Sequence, residues 1–420
     1  MMKRLRVVTV VAVLALALLG VPSAWTQPKK IEVRVGWQPL GGAGAIVDAL
    51  MMESKAFSRH AAKLGWDVTE TWREFQAGPP LNEAMAAGQI DIDLEKSTIP
   101  VASAILAGVP NVPVAVTLSP LNNALLVAPN SPIKTLDDLR GRTVGLPIGS
   151  SAHYLLASVV YYHFGKLPEE VGIRLLNTPA AEAIKLPKGV DVASVWPPLR
   201  YIGPAQGLSE WFVDGYGKTG KGYKTPGTRV PDVQKSWAYP EGYNLDRSFV
   251  TAHQKFLEKY PELVRAFLAA RAETSNAFVR DPQPGIETVN KRWKLPELVI
   301  KQSLAQYSEF AGARNSPSLI ESDVLALVKT SEFMAFMKLV DRPLSFDDLK
   351  PLLMKGAEMQ RQLWEAGGGR PTVAEMEKGF SGRSELYGDI IVKGGAPIWQ
   401  WASVPNWGKR AYVAGPFQPK

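Results

Sequence analysis

The sequence predicts an α/β protein of two lobes, and three observations carry that expectation. Its 420 residues are more than a single hydrophobic core organises. Between residues 31 and 118, short alternating or apolar runs take turns with helical periodicity, and a second block of the same kind begins at residue 124. The composition, 46% hydrophobic and 21% charged, is that of a globular chain able to bury a sizeable core.

The elements follow in order. Residues 32–36 alternate as a strand does, 45–57 have an amphipathic helical period, and 68–75 alternate again. Helix 79–87, strand 90–94, helix 99–106 and strand 112–118 complete the first block. The second block reads as strand 124–128, a turn at 136–139, strand 143–146, helix 151–164 and strands at 173–176 and 190–195. After Pro204 no period is evident, and 215–243 are rich in Gly, Lys, Tyr and Pro. From Phe249 the pattern is helical throughout, with later helices around 296–310, 320–339 and 346–366. The tail, 367–420, sets Trp399, Trp401, Trp407, Tyr412 and Phe417 among Gly and Pro and reads as an extended wrap.

The first residues stand apart. Lys3, Arg4 and Arg6 precede a continuous apolar run, 7–20, and small or turn-forming residues follow at Val21-Pro22-Ser23-Ala24. That order marks a secretory signal peptide, because the run is shorter than the roughly 20 residues of a spanning helix. Cleavage is expected between Ser23 and Gln27, and no later stretch is long and apolar enough to cross a bilayer. The absence of cysteine excludes a lipoprotein anchor, disulfides, thiolate metal sites and a cysteine nucleophile. The net charge of +8 includes the three leader cations, and no arginine stripe with interleaved aromatics points to nucleic acid. A mildly basic surface is compatible with steering anions.

Two segments carry the chemistry. In Gly149-Ser150-Ser151-Ala152-His153 a strand ends, a glycine turns the chain and serines cap an apolar helix. A serine at the cap satisfies one orphan amide, and the remaining N–H groups with the helix dipole form a positive concavity without formal charge. Taken alone, such a segment is more often an ordinary capped helix. Phe75-Gln76-Ala77-Gly78-Pro79-Pro80-Leu81 has the same character, with Gly78 allowing close approach of a ligand and proline suiting the first helical turn. Two such helix starts in successive α/β blocks point to a ligand site at the carboxyl ends of the strands.

Four stretches extend this reading: VGWQPL at 35–40, EFQAGPPLNEAMAAGQIDI at 74–92, PNSPIKTLDDLRGRTVGLPIGSSAHYLL at 129–156 and VDVASVWPP at 190–198. In this order and spacing they resemble the extracytoplasmic binding components of ABC importers for aliphatic sulfonates, taurine and nitrate. The resemblance implies a type II periplasmic binding protein: two α/β lobes joined by two hinge crossovers, closing on a ligand, with a helical C-terminal part. The implied division is a leader at 1–26, lobe one at 27–118 and 246–366, and lobe two at 119–214. An inserted loop or lid occupies 215–245 and a C-terminal extension 367–420. Carried over residue by residue, the ligand contacts are Gln38, the turn Ala77, Gly78 and Pro79, the pair Ser97 and Thr98, the helix start Ser150, Ser151 and His153, and Trp196 as an aromatic wall. His153 is expected to be neutral, either donating an N–H to the ligand or satisfied by its own capping network. Trp196 has a core role as its alternative.

The sequence departs from that family at Asp93, Glu95 and Lys96, where small residues are usual, and at Pro197, where an acid is usual. Glu95 and Lys96 are expected at a solvated strand end, the alternatives being a mutual pair or two charges facing the ligand. The insertion carries Lys218, Lys221, Lys224, Arg229 and Lys235 among aromatic residues, as a lid or a surface loop.

The function implied is an exported, periplasmic, monomeric binding protein, without cofactor or metal, that hands a small organic anion to an ABC permease. A sulfonate or taurine-like ligand leads, with nitrate, a pyrimidine-type precursor and a ligand-sensing receptor as alternatives. An enzyme on the same scaffold is disfavoured. Gly149-x-Ser151-x-His153 lacks the final glycine of a nucleophile elbow, and His60, His153, His163 and His253 have no metal spacing. Ser150 with His153 lacks an orienting acid.

Overall fold

Two mixed five-stranded sheets organise the chain in the computed structural model, which describes residues 27–41, 44–118, 123–215, 220, 246–281, 283–296, 299, 302, 319–366, 397–404 and 407. Strands β1 (Lys29–Trp37), β2 (Trp66–Glu74), β3 (Ile92–Ser97) and β4 (Asn111–Leu118) alternate with helices α1 (Ala45–Glu53), α2 (Ala56–Ala62), α3 (Gly78–Ala86) and α4 (Thr98–Leu106). The chain then passes to a second sheet of β5 (Ala124–Val127), β6 (Thr143–Leu146), β7 (Arg174–Asn177), β8 (Val192–Val195) and β9 (Glu210–Asp214). Helices α5 (Ser151–Phe164), α6 (Ala180–Ala183) and α7 (Leu199–Ala205) lie between its strands. It returns as β10 (Ser248–His253) and continues through α8 (Gln254–Lys259), α9 (Pro261–Arg280), α10 (Gln283–Trp293), α11 (Glu321–Phe336), α12 (Phe346–Leu353) and α13 (Ala357–Glu365).

The strand orders are β2-β1-β3-β10-β4 and β7-β6-β8-β5-β9. In each sheet the strand arriving from the other lobe, β5 or β10, runs antiparallel to both its neighbours, whereas β1–β3 and β6–β8 pair in parallel. The two crossings therefore lock each sheet together from within. This is the type II periplasmic binding protein fold, and it directs the carboxyl ends of the parallel strands of both lobes toward one cleft.

Val33, Val35, Phe57 and Phe267 belong to the first lobe's core, and Leu125, Val144, Leu155 and Val192 to the second's. A third apolar cluster joins the lobes: Tyr154 and Tyr161 on α5 pack with Ile99 on α4 and Phe333 on α11. The Tyr154 and Phe333 rings meet edge to face with centroids 5.1 Å apart. Part of the aromatic tail adds to this cluster through Ile398 and the stacked pair Trp401 and Trp407, 3.9 Å apart. Residues 1–26, nearly all of 215–245 and most of 367–420 lie outside the described residues, so the expected leader, the insertion and the bulk of the extension do too.

Three expectations change. Residues 248–253, expected to open a helical region, form the strand β10, because a short buried run with a bulky aromatic and β-branched residues is satisfied by pairing on both sides. The stretch after β8, expected to be irregular beyond Pro204, contains β9. Glu95 and Lys96 are not at a solvated strand end and do not pair with each other. β3 is flanked by β1 and β10, and all its residues are buried. Lys96 Nζ donates to Asp93 Oδ2 at 2.6 Å and to Asn111 Oδ1 at 3.2 Å. Glu95 accepts from Arg271 Nη2 at 2.8 Å, Thr117 Oγ1 at 3.0 Å and Ser248 Oγ at 2.5 Å.

Arg271 also donates through Nε to Asp48 Oδ1 at 2.8 Å, so one guanidinium on α9 serves two buried carboxylates. Removing it leaves both uncompensated, and Arg271→Met is expected to cost about 3–5 kcal/mol in urea denaturation. A loss below about 1 kcal/mol, the scale of an exposed pair, would contradict this account. Burial pushes the Asp48 carboxyl up from 3.8 to about 7. Within that window the native chain holds a proton that the unfolded chain has released, so stability falls as pH rises through it. Asp48→Asn is expected to remove that slope from the urea midpoints.

Candidate functional site

At the end of β6 the chain turns through Gly149, whose φ of +78° is left-handed and favours glycine. Ser150 then caps α5: its Oγ accepts the Ala152 N–H at 3.2 Å and donates to the Pro147 carbonyl at 2.6 Å. The Gly149 N–H donates to His153 Nδ1 at 3.4 Å. The imidazole is thus an acceptor in its own turn, and burial holds its pKa down at about 4, so the ring is neutral. The hydroxyl of Ser151, next along, makes no hydrogen bond among the described residues, and neither does its amide.

Across the cleft, α3 begins after Ala77. Pro79 and Pro80 have no N–H, so the amide hydrogens at this helix start are those of Ala77 and Gly78. Gly78 is glycine because of a packed neighbour: a Cβ there would stand 2.6 Å from Cβ of Pro100 on α4. The two turns face each other closely, since a Cβ on Gly149 would lie 3.8 Å from Cγ of Pro79. A hydrogen bond also spans the lobes, from Trp196 Nε1 at the end of β8 to the Leu40 carbonyl beyond β1, at 2.6 Å.

Between these elements lies a narrow cavity. Gln38, Gly78, Ser97, Ser150, Ser151 and Trp196 line it, joined by Gly41 and Glu95. Six of the ten residues singled out from the sequence thus meet in one place, with Ala77 and Pro79 in the facing turn beside them. Gln38 is held there by its Nε2, which donates to the Glu95 carbonyl at 2.8 Å. The other two expected residues do not line it. Thr98 donates its amide to Asp246 Oδ1 at 2.9 Å, and its hydroxyl accepts the Arg247 N–H at 2.8 Å. His153 is turned to Gly149.

A second cavity of about 220 Å³ adjoins the first and shares Gln38 and Trp196 with it. Its walls include Leu40, Phe75 and Trp293 from the first lobe and Leu199 from the second.

A family model described as NMT1/THI5 like matches residues 77–196, a stretch that begins in one of the facing turns and ends on Trp196. The taurine-binding periplasmic protein of Escherichia coli (strain K12) is 28% identical over 311 residues, covering 73% of this chain and 80% of that protein. The structure of the periplasmic aliphatic sulphonate binding protein SsuA from Escherichia coli superposes with a TM-score of 0.56 at 26% identity. It covers 76% of this chain and 91% of that one. Residues 77–196 belong to the NMT1/THI5-like family. The named relatives are binding proteins rather than enzymes. The periplasmic nitrate-binding protein NrtA from Synechocystis PCC 6803 shares the fold alone, at 13% identity, with a TM-score of 0.56 over 81% of this chain and 90% of that one.

The lining residues that the sequence did not single out include Gly41 in the inner cavity and Phe75, Leu199 and Trp293 in the outer one, whereas Glu95 facing the site was one of the alternatives. Phe75 lies inside a quoted motif and was legible there as an aromatic next to a turn. Trp293 sits in Lys291-Arg292-Trp293-Lys294, which carries no motif, and reaches the cleft only because α10 ends there.

The neutral His153 has a measurable consequence. Between its ordinary value of 6.5 and its native value of about 4, the unfolded chain takes up a proton that the native chain refuses. Stability should therefore fall as pH is lowered through that window, and His153→Gln should flatten the dependence of the urea midpoint there.

Proposed function

We propose that this chain is a periplasmic solute-binding protein that captures an organic sulfonate and presents it to the permease of an ABC importer. The observation that supports this most is the convergence of uncommitted donors on one cavity from both lobes. These are the Gly78 amide at the start of α3, the Ser97 hydroxyl at the start of α4, and the Ser151 hydroxyl and amide at the start of α5. Among the described residues, no lysine or arginine lines that cavity. A tetrahedral oxyanion with three equivalent oxygens suits such a site, because N–H and O–H groups reach it from several directions and the helix dipoles supply the positive field. The sulfonate and taurine relatives support the same class.

Binding without turnover fits the same geometry. Ser151 has no base beside it, because His153 Nδ1 is occupied by Gly149 and faces its own turn. The apolar leader read in the sequence supports export to the periplasm.

Calorimetry of the purified protein with methanesulfonate, taurine and nitrate tests this reading. A sulfonate is expected to bind, and Ser151→Ala to weaken it about 10- to 100-fold, the value of a hydrogen bond to a charged group. Absence of heat with every sulfonate, or affinity untouched in the Ser97→Ala, Ser151→Ala double variant, would sink the proposal.

A further inference from the structure

We infer that the outer cavity is a tail subsite that selects sulfonates carrying a flat, uncharged aromatic group. This rests on the sulfonate reading of the inner cavity and adds the class of organic tail. Because Gln38 and Trp196 line both spaces, a head group in the inner cavity has its substituent directed into the outer one. At about 220 Å³ the outer space exceeds what a one- or two-carbon tail fills.

The walls are aromatic and held in place from behind. Trp196 is clamped by the hydrogen bond of its indole N–H to the Leu40 carbonyl. Trp293 is backed by Trp37, with ring centroids 6.1 Å apart. The Arg292 guanidinium lies 5.0 Å over the Trp37 ring and pairs with Glu74 at 2.8 Å, which fixes the end of α10 against the end of β2. Phe75 contributes a third ring. Fixed ring faces accept a planar π-system by stacking or edge contact, whereas a flexible chain loses rotamer freedom to fill the same space.

Charge narrows the class further. Glu74 is the one charged side chain among the described residues that line the outer cavity, and Arg292 neutralises it. A second anionic group on the tail therefore meets no cation among the described lining residues. An ammonium group meets no uncommitted carboxylate either, since Glu95 in the inner cavity already accepts from Arg271, Thr117 and Ser248. The tail that matches these walls is uncharged.

Isothermal titration of the purified protein with naphthalene-2-sulfonate, octanesulfonate, methanesulfonate and taurine tests the inference. Naphthalene-2-sulfonate is expected to bind at least about tenfold more tightly than each of the others. Phe75→Ala and Trp293→Ala are each expected to remove about tenfold of that affinity while leaving methanesulfonate within about twofold. Methanesulfonate or taurine binding as tightly as the aryl probe would overturn the tail subsite while the sulfonate reading stands. Octanesulfonate equal to the aryl probe would overturn the selection for a flat ring. If no sulfonate binds, the sulfonate reading fails and the subsite falls with it.

Discussion

A fully buried carboxylate forms part of the wall of a cavity suited to an anion, and the site depends on that charge being cancelled. Glu95 has a left-handed φ of 60°, an uncommon conformation for a residue with a side chain, and lies on the central part of β3. An uncompensated carboxylate about 4 Å from a sulfonate would oppose binding by about 4 kcal/mol at an effective dielectric of about 20. Arg271 supplies the compensation, and Thr117 and Ser248 complete the set of donors. Asp48 shares the same guanidinium, and its carboxyl, pushed up to about 7, keeps the cluster from accumulating a second full negative charge near neutral pH. The network also positions a cavity-lining group, since the backbone carbonyl of Glu95 receives Gln38.

The lobes meet through more than the ligand cavity. Helix α5 presents its N-terminus to the cleft, while Tyr154 and Tyr161 further along pack on α4 and α11. The helix that supplies the anion-facing amides of the second lobe is therefore anchored partly on the first. The Trp196 to Leu40 hydrogen bond ties the opposite wall in the same way. Helix α4 also begins near the cavity, but its first amide is taken by Asp246. Its dipole is satisfied by an internal carboxylate, which leaves α3 and α5 to face the cleft.

How much of this was legible in the sequence follows from which forces are local. The 151–164 helix was readable to the residue because its cap, its glycine turn and its apolar run are neighbours in sequence. The two facing turns were readable because strand-to-helix connectors announce themselves through glycine, serine and proline. The burial of Glu95 and Lys96 was not, because it depends on β10, which returns about 150 residues later to cover β3. The same distance hid β10 itself, whose short run has no period that separates strand from helix. Gly78 shows a subtler limit. Its identity was correctly flagged, but the structure assigns the constraint to the packed neighbour Pro100, and no sequence pattern distinguishes a glycine demanded by a neighbour from one demanded by a ligand.

The same logic separates adjacent hydroxyls that look interchangeable in the sequence. Ser150 and Ser151 stand side by side at one helix start, and Ser97 and Thr98 at another. In each pair one side chain fastens the backbone: Ser150 holds Ala152 and Pro147, and Thr98 accepts from Arg247. Its neighbour, Ser151 or Ser97, lines the cavity with its hydroxyl uncommitted among the described residues. At the start of α5 one hydroxyl cannot both hold the turn and donate into the cavity, because the single proton of Ser150 Oγ already goes to the Pro147 carbonyl. Doubling the hydroxyl resolves the conflict there, with Ser150 for the turn and Ser151 facing the cavity. The Ser-Ser pair, rather than either serine alone, lets the start of α5 keep its shape and still present a hydroxyl proton to the cleft.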